Sequence, residues 1–202
     1  MRAKLTFMVL ALVALGAFLA PAAGATPSWK FEGKTLEGSE TILGGAIESS
    51  MTVPGLTTKC EDFLYKLTIK NESGGKGSVT ETPLYNCSTD STACFVGTIG
   101  GEGFPWAAHL ATFSSSNYIV IEGVTVNVYY EGEECVLNET LVTVTGSAGG
   151  VIDNTAETAT FDSSTLSASG TALESLGQKI EWNGVFPTEA FEWHRNQALT
   201  AS

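Results

Sequence analysis

Basic residues are scarce in this chain: 10 Lys and Arg stand against 22 Asp and Glu, for a formal net charge of −12 at pH 7. A surface of that sign repels phosphate, and without clustered Lys and Arg a nucleic-acid partner is excluded. Histidine is scarcer still, with only 2, His109 and His194. No GxSxG elbow occurs, and the nearest string, Gly146-Ser147-Ala148-Gly149, lacks its pattern, so serine-type catalysis has no visible base and nucleophile. Neither a CxxC pair nor a D-x-D-x-D-G loop is present, which removes the common zinc and calcium signatures and leaves no metal or cofactor ligands to name. No apolar tail ends the sequence and no cysteine directly follows its one apolar run, so neither a C-terminal anchor nor a lipid-modified N-terminus is expected.

That run sits at the N-terminus. Arg2 and Lys4 lead into the apolar stretch from Leu5 to Ala20, and Ala23-Gly24-Ala25 fits a small-x-small cleavage site, so Met1 to Ala25 reads as a secretory signal peptide. The stretch is shorter than the about 20 residues a spanning helix needs. A secreted protein beginning at Thr26, with no membrane anchor after cleavage, is the expectation. Residues 26–202 are then long enough for a single domain with a sizeable core. All 4 cysteines lie in that part, and an even number in an oxidising compartment predicts two disulfides.

The strongest pattern lies between Cys60 and Cys87. Phe63, Tyr65, Leu67 and Ile69 alternate with Asp62, Leu64, Lys66, Thr68 and Lys70, which is the period of a half-buried strand. The NESGGK string from Asn71 to Lys76 supplies glycines for a loop, and Ser78 to Tyr85 resumes as a return strand. A register that sets Cys60 opposite Cys87 also sets Lys66 opposite Glu81 and Thr68 opposite Val79. A disulfide closing that hairpin would stabilise by about 3–4 kcal/mol. Cys94 pairs with Cys135 by elimination; the rival connectivity joins Cys87 to Cys94 and Cys60 to Cys135. Pro83 cannot donate to a ladder, so the return strand is placed at a sheet edge or given a bulge there.

Elsewhere, short strands and frequent turns recur. Trp29 and Phe31 mark a first strand from Ser28 to Glu32, and Pro54-Gly55 a turn. Phe95 to Ile99 reads as a strand, as does Trp106 to Phe113 despite a helical spacing of Trp106, Leu110 and Phe113. From Tyr118 to Tyr130 alternation is strong and Gly123 reads as a bulge that swaps faces; Glu131 to Glu134 is a turn, and Cys135 to Thr145 the return strand. Ser147 to Gly177 is rich in small residues and Thr, with a strand around Phe161. Lys179 to Asn183 is a last strand, and Thr188 caps a helix running to Leu199. Together these predict an all-β fold, a disulfide-bonded two-sheet β-sandwich of about eight to ten strands, with a flattened β-barrel as the alternative.

Chemistry-bearing residues are few. Glu122, Glu131, Glu133, Glu134 and Glu139 crowd the second hairpin and could pair as in a carbohydrate-active hydrolase. His109 lies among apolar neighbours as a core or rim residue, and His194 in a polar tail. Trp182, Phe186, Phe191 and Trp193 could form a sugar-stacking platform or pack in the core. Asn71, Asn86 and Asn138 begin N-x-S/T strings. The signal peptide, Trp29 and Phe31, the spaced cysteines in Thr-rich strands and the closing Glu181-Trp182-Asn183-Gly184 together resemble the small secreted β-rich proteins of high-GC Gram-positive bacteria. That group carries no assigned activity, so the resemblance implies no catalytic residue. The reading is a non-catalytic secreted protein, binding or structural, whose partner is an extracellular ligand or cell-surface component; the alternative is the paired-carboxylate hydrolase.

Overall fold

The computed structural model describes residues 26–31, 33–46, 48–53, 55–72, 74–113, 115–155, 158–164, 167–169, 181–187 and 199–201. The expected signal peptide and most of the segment expected to be helical from Thr188 lie outside them. Fifteen strands are described: β1 (Trp29–Phe31), β2 (Lys34–Thr35), β3 (Ser39–Ala46), β4 (Glu48–Val53), β5 (Leu56–Lys70), β6 (Lys76–Glu81), β7 (Leu84–Thr89) and β8 (Phe95–Gly101). They continue with β9 (Trp106–Phe113), β10 (Ser116–Glu131), β11 (Thr140–Asp153), β12 (Thr158–Ser164), β13 (Ser167–Ser169), β14 (Glu181–Pro187) and β15 (Leu199–Ala201). The count exceeds the expected eight to ten because several strands are interrupted and continue beside the same neighbour.

The fold is all-β and antiparallel throughout. β15, β1 and β2 make a small sheet, and the other strands make one large curled sheet. Stepping between hydrogen-bonded neighbours from β5 through β6, β9, β10, β11, β12, β14 and β4 leads back to β5, so eight strands close a ring. Closure removes sheet edges, which otherwise present unpaired N–H and C=O groups. At the other end the strands part into two layers. There β5 is flanked by β4 and β7, and β10 by β8 and β11; no ladder joins β7 to β8 among the described residues. The molecule is thus a sandwich at one end and a barrel at the other.

The long strands β5 and β10 serve both ends, and each changes its buried face midway. In β5 the buried positions run Leu56, Thr58, Cys60 and then Phe63, Leu67, Ile69. In β10 Ile119 is buried before Gly123 and Val124, Val126, Val128 and Tyr130 after it, with the ladder to β11 shifting between Glu122 and Val124. Gly123 has φ 72, which a side chain resists, so the face swap expected there is realised as a glycine bulge. Across the sandwich end, the Thr58 and Tyr130 hydroxyls share a buried hydrogen bond of 2.6 Å. It ties the two layers where no backbone ladder does.

The first hairpin keeps its expected disulfide, Cys60–Cys87, and its Lys66–Glu81 pair, whose Nζ and Oε1 are 3.3 Å apart. One detail differs. The register slips between Lys66 and Leu67, so Leu67 faces Val79 and Thr68 faces Ser78 instead of Val79. The slip lies at Thr80, not at Pro83: Pro83 falls between β6 and β7, where its carbonyl accepts from Leu64 N–H at 3.0 Å and no donor is required of it. Gly74 and Gly75, at φ 94 and 64, turn the loop as expected.

The second hairpin also returns later than expected. β11 begins at Thr140, and Cys135 to Glu139 is a string of turns, with Cys135 N–H donating to Gly132 O and Asn138 N–H to Cys135 O. The cause is packing. Cys135 reaches back to Cys94 in the second disulfide and Leu137 is fully buried, so the loop folds inward over the sandwich end before the strand can start.

Candidate functional site

The inward faces of the barrel strands leave an apolar chamber of about 50 Å³. Five aromatic residues wall it, Trp29, Phe63, Tyr65, Trp106 and Phe161, with aliphatic residues such as Ile42, Val79, Ile119 and Ile152 between them. Thr82 also borders it. Barrels of eight strands have interiors that side chains just fill or that hold one small ligand.

The space exists because large rings lie along the wall instead of across it. Gly44 is the cross-strand partner of Tyr65, and a Cβ at Gly44 would run into the end of the Tyr65 ring. Gly150 faces Phe161 in the same way, with a Cβ there only 2.7 Å from the Phe161 ring. Each aromatic residue therefore folds over a bare stretch of backbone. Burial raises the Tyr65 phenol well above the ordinary tyrosine range, so it stays neutral in the chamber.

Among the described residues, Trp29 closes one side and is the lining residue drawn from the small sheet. It is 1% exposed, and its position is over-determined. Its indole N–H donates to Gly75 O at 2.9 Å and its backbone N–H to Asn71 Oδ1 at 2.6 Å. Asn71 Nδ2 donates in return to Trp29 O at 3.0 Å and Leu36 O at 2.9 Å. Trp106, stacked on Phe104 with centroids 4.6 Å apart, donates its own indole N–H to Glu102 O.

None of the carboxylates singled out from the sequence lines this chamber. Glu122 is exposed on β10, opposite Ala107 and Ser147. Glu131 closes β10, and Glu133, Glu134 and Glu139 lie exposed in the turns that follow. At about 3.3 Å per residue, Glu122 and Glu131 are separated along the strand by roughly 30 Å. The acids thus form an outer rim at the sandwich end, with Glu122 apart from it. His109 alternates with the inward Ala108 and Leu110, so it points away from the chamber. Trp182 and Phe186 lie in β14, opposite Met51 and Ala159, while Phe191, Trp193 and His194 fall outside the described residues. Among the described residues no group of three His, Cys, Asp or Glu side chains converges as metal ligands would.

Of the three N-x-S/T asparagines, Asn71 is committed to the Trp29 bracket. Asn86 and Asn138 are exposed, bonded respectively to Asp62 Oδ2 and the Gly132 N–H. The chamber itself was not visible in the sequence. Its signals were inward glycines and alanines at strand positions, which carry no meaning until the ring closes. No protein-family model matches the chain, and no curated protein or solved structure matches it either.

Proposed function

We propose that the chain is a secreted, non-catalytic protein that acts outside the cell by binding, with the barrel interior as its binding place. The observation that carries this reading is the separation of chemistry from enclosure. The chamber is walled by aromatic and aliphatic groups, and the acids singled out as general acid or base stand on the exposed surface, where water screens them. Two disulfides, Cys60–Cys87 and Cys94–Cys135, support an oxidising compartment, in line with the N-terminal leader.

The test is an assay of the purified, oxidised protein against polysaccharide, ester and peptide substrates, with Glu131→Gln, Glu134→Gln and His109→Ala alongside. No turnover is expected in any of them. Turnover that persists through purification and drops a hundredfold or more in one variant, on the order of the loss of a general acid or base, would overturn the reading.

A further inference from the structure

We propose that the outer face of the sheet layer formed by β8, β10 and β11 docks a cationic polypeptide, with an arginine side chain of that partner held by the Tyr129 ring and the Glu131 carboxylate. The face lies outside the chamber, and the proposal goes beyond the binding reading above.

The first observation is an uncovered apolar face. Val124, Val126, Val128 and Tyr130 are buried, so Thr125, Asn127, Tyr129 and Glu131 alternate outward. The ladders set Leu141 opposite Tyr129 on one side and Phe95 opposite Glu131 on the other. Phe95 is 60% exposed and Leu141 51%. Phe95 and Tyr129 are then diagonal neighbours, within the reach of aromatic rings. The Cys94–Cys135 bridge brings the exposed Val136 to the same end. Single apolar residues are normal on a surface, whereas a contiguous group rimmed by polar residues marks an interaction site.

The second observation is the geometry at Gly97. The β8–β10 ladder shifts between Tyr129 and Tyr130, which leaves Gly97 as the extra residue of a bulge. A Cβ built on Gly97 would lie 2.7 Å from Glu131 Oε1 and 3.1 Å from Tyr129 Cδ1. Both side chains therefore lean over the same bare backbone, a carboxylate beside an aromatic ring. Arginine matches that pair, because its planar guanidinium stacks on an aromatic face and donates to a carboxylate.

Charge supplies the third observation. No Lys or Arg occurs from Gly77 to Gln178, a stretch that includes β8, β10 and β11 and holds 12 of the 22 acids. The ion pairs shown among the described residues, Lys66–Glu81 and Lys70–Glu72, lie at the first hairpin. Glu133, Glu134 and Glu139 stand exposed at the same end as Glu131. The layer has no cation of its own, so the complementary charge comes from a partner. A second copy docked face to face would set these acids against their own equivalents, which disfavours self-pairing.

The experiment titrates the peptide acetyl-Leu-Arg-Leu-Arg-Leu-amide into the full oxidised chain and follows backbone amides by NMR. Saturable shifts are expected at Gly97, Tyr129 and Glu131, and none with a peptide carrying Gln in place of Arg. Glu131→Gln is expected to weaken binding about fivefold, the worth of a well-placed exposed ion pair. Tyr129→Leu is expected to weaken it about threefold, in the range of an exposed cation–π contact. Glu122→Gln, on the far half of β10, is expected to leave it unchanged. Absence of saturable shifts would overturn the proposal, and so would equal weakening by Glu122→Gln and Glu131→Gln, which would mean attraction by net charge alone. Two further results would give the face to another occupant and overturn it as well. One is shifts at these amides with cellohexaose and none with the arginine peptide; the other is a concentration-dependent dimer in sedimentation that Phe95→Ser dissociates.

Discussion

Replacing Asn71 by alanine removes one side chain and three hydrogen bonds. The carboxamide accepts from Trp29 N–H at 2.6 Å and donates to Trp29 O at 3.0 Å and Leu36 O at 2.9 Å, so it clamps the first two strands onto the end of β5. A neutral hydrogen bond contributes about 1 kcal/mol net, and a half-buried N–H left without an acceptor costs more than the bond itself contributed. The expected loss is about 3 kcal/mol, which for a chain of this size lowers Tm by roughly 6–12 °C. Asn71→Asp separates the contributions: it keeps the acceptor for Trp29 N–H but turns both donors into lone pairs facing carbonyl oxygens. It too is expected to destabilise. Urea unfolding of oxidised protein, followed by tryptophan fluorescence and far-ultraviolet circular dichroism, measures both variants. A loss below about 0.5 kcal/mol, the range of ordinary surface substitutions, would refute the clamp.

Three further expectations follow from named contacts. Tyr65 and Tyr130 are both raised by burial, Tyr130 with the nearby Asp90 charge adding and the Thr58 hydrogen bond opposing. The folded chain therefore holds these protons more tightly, and stability present below about pH 10 is lost as pH rises past that value; urea midpoints that stay level from pH 8 to about 11 would contradict this. Gly44→Ala puts a methyl group into the Tyr65 ring and should cost about 1–3 kcal/mol, while Gly100→Ala, with nothing within 4 Å of a new Cβ, should stay within about 0.5 kcal/mol in the same melts. Expressed in a host that glycosylates N-x-S/T sites, the chain should carry glycan at Asn86 and Asn138 and none at Asn71, whose amide hydrogens are both engaged; glycopeptide mapping that finds Asn71 occupied in folded protein would count against the bracket around Trp29.

The sequence by itself determined what depends on neighbours along the chain. Period-two alternation marked β5 and β10 as strands, a loop with two glycines placed the first hairpin, and the opposed Cys60 and Cys87 held its register from one end. Gly123 announced a face swap because a glycine inside a strand pattern has one common physical meaning. Local signals stop there. The slip at Thr80 arises because β6 must pair with β9 on its far side as well as with β5, a constraint no single hairpin contains. The late start of β11 follows from Cys135 and Leu137 being drawn into the sandwich end. Only the tertiary structure made the chamber, since β14 must bridge β12 and β4 for the ring to close. In the barrel Gly44 and Gly150 are the floor on which Tyr65 and Phe161 lie. Asn71, an ordinary loop residue in the sequence, gains its role from Trp29 and Leu36, far along the chain, which folding brings to it.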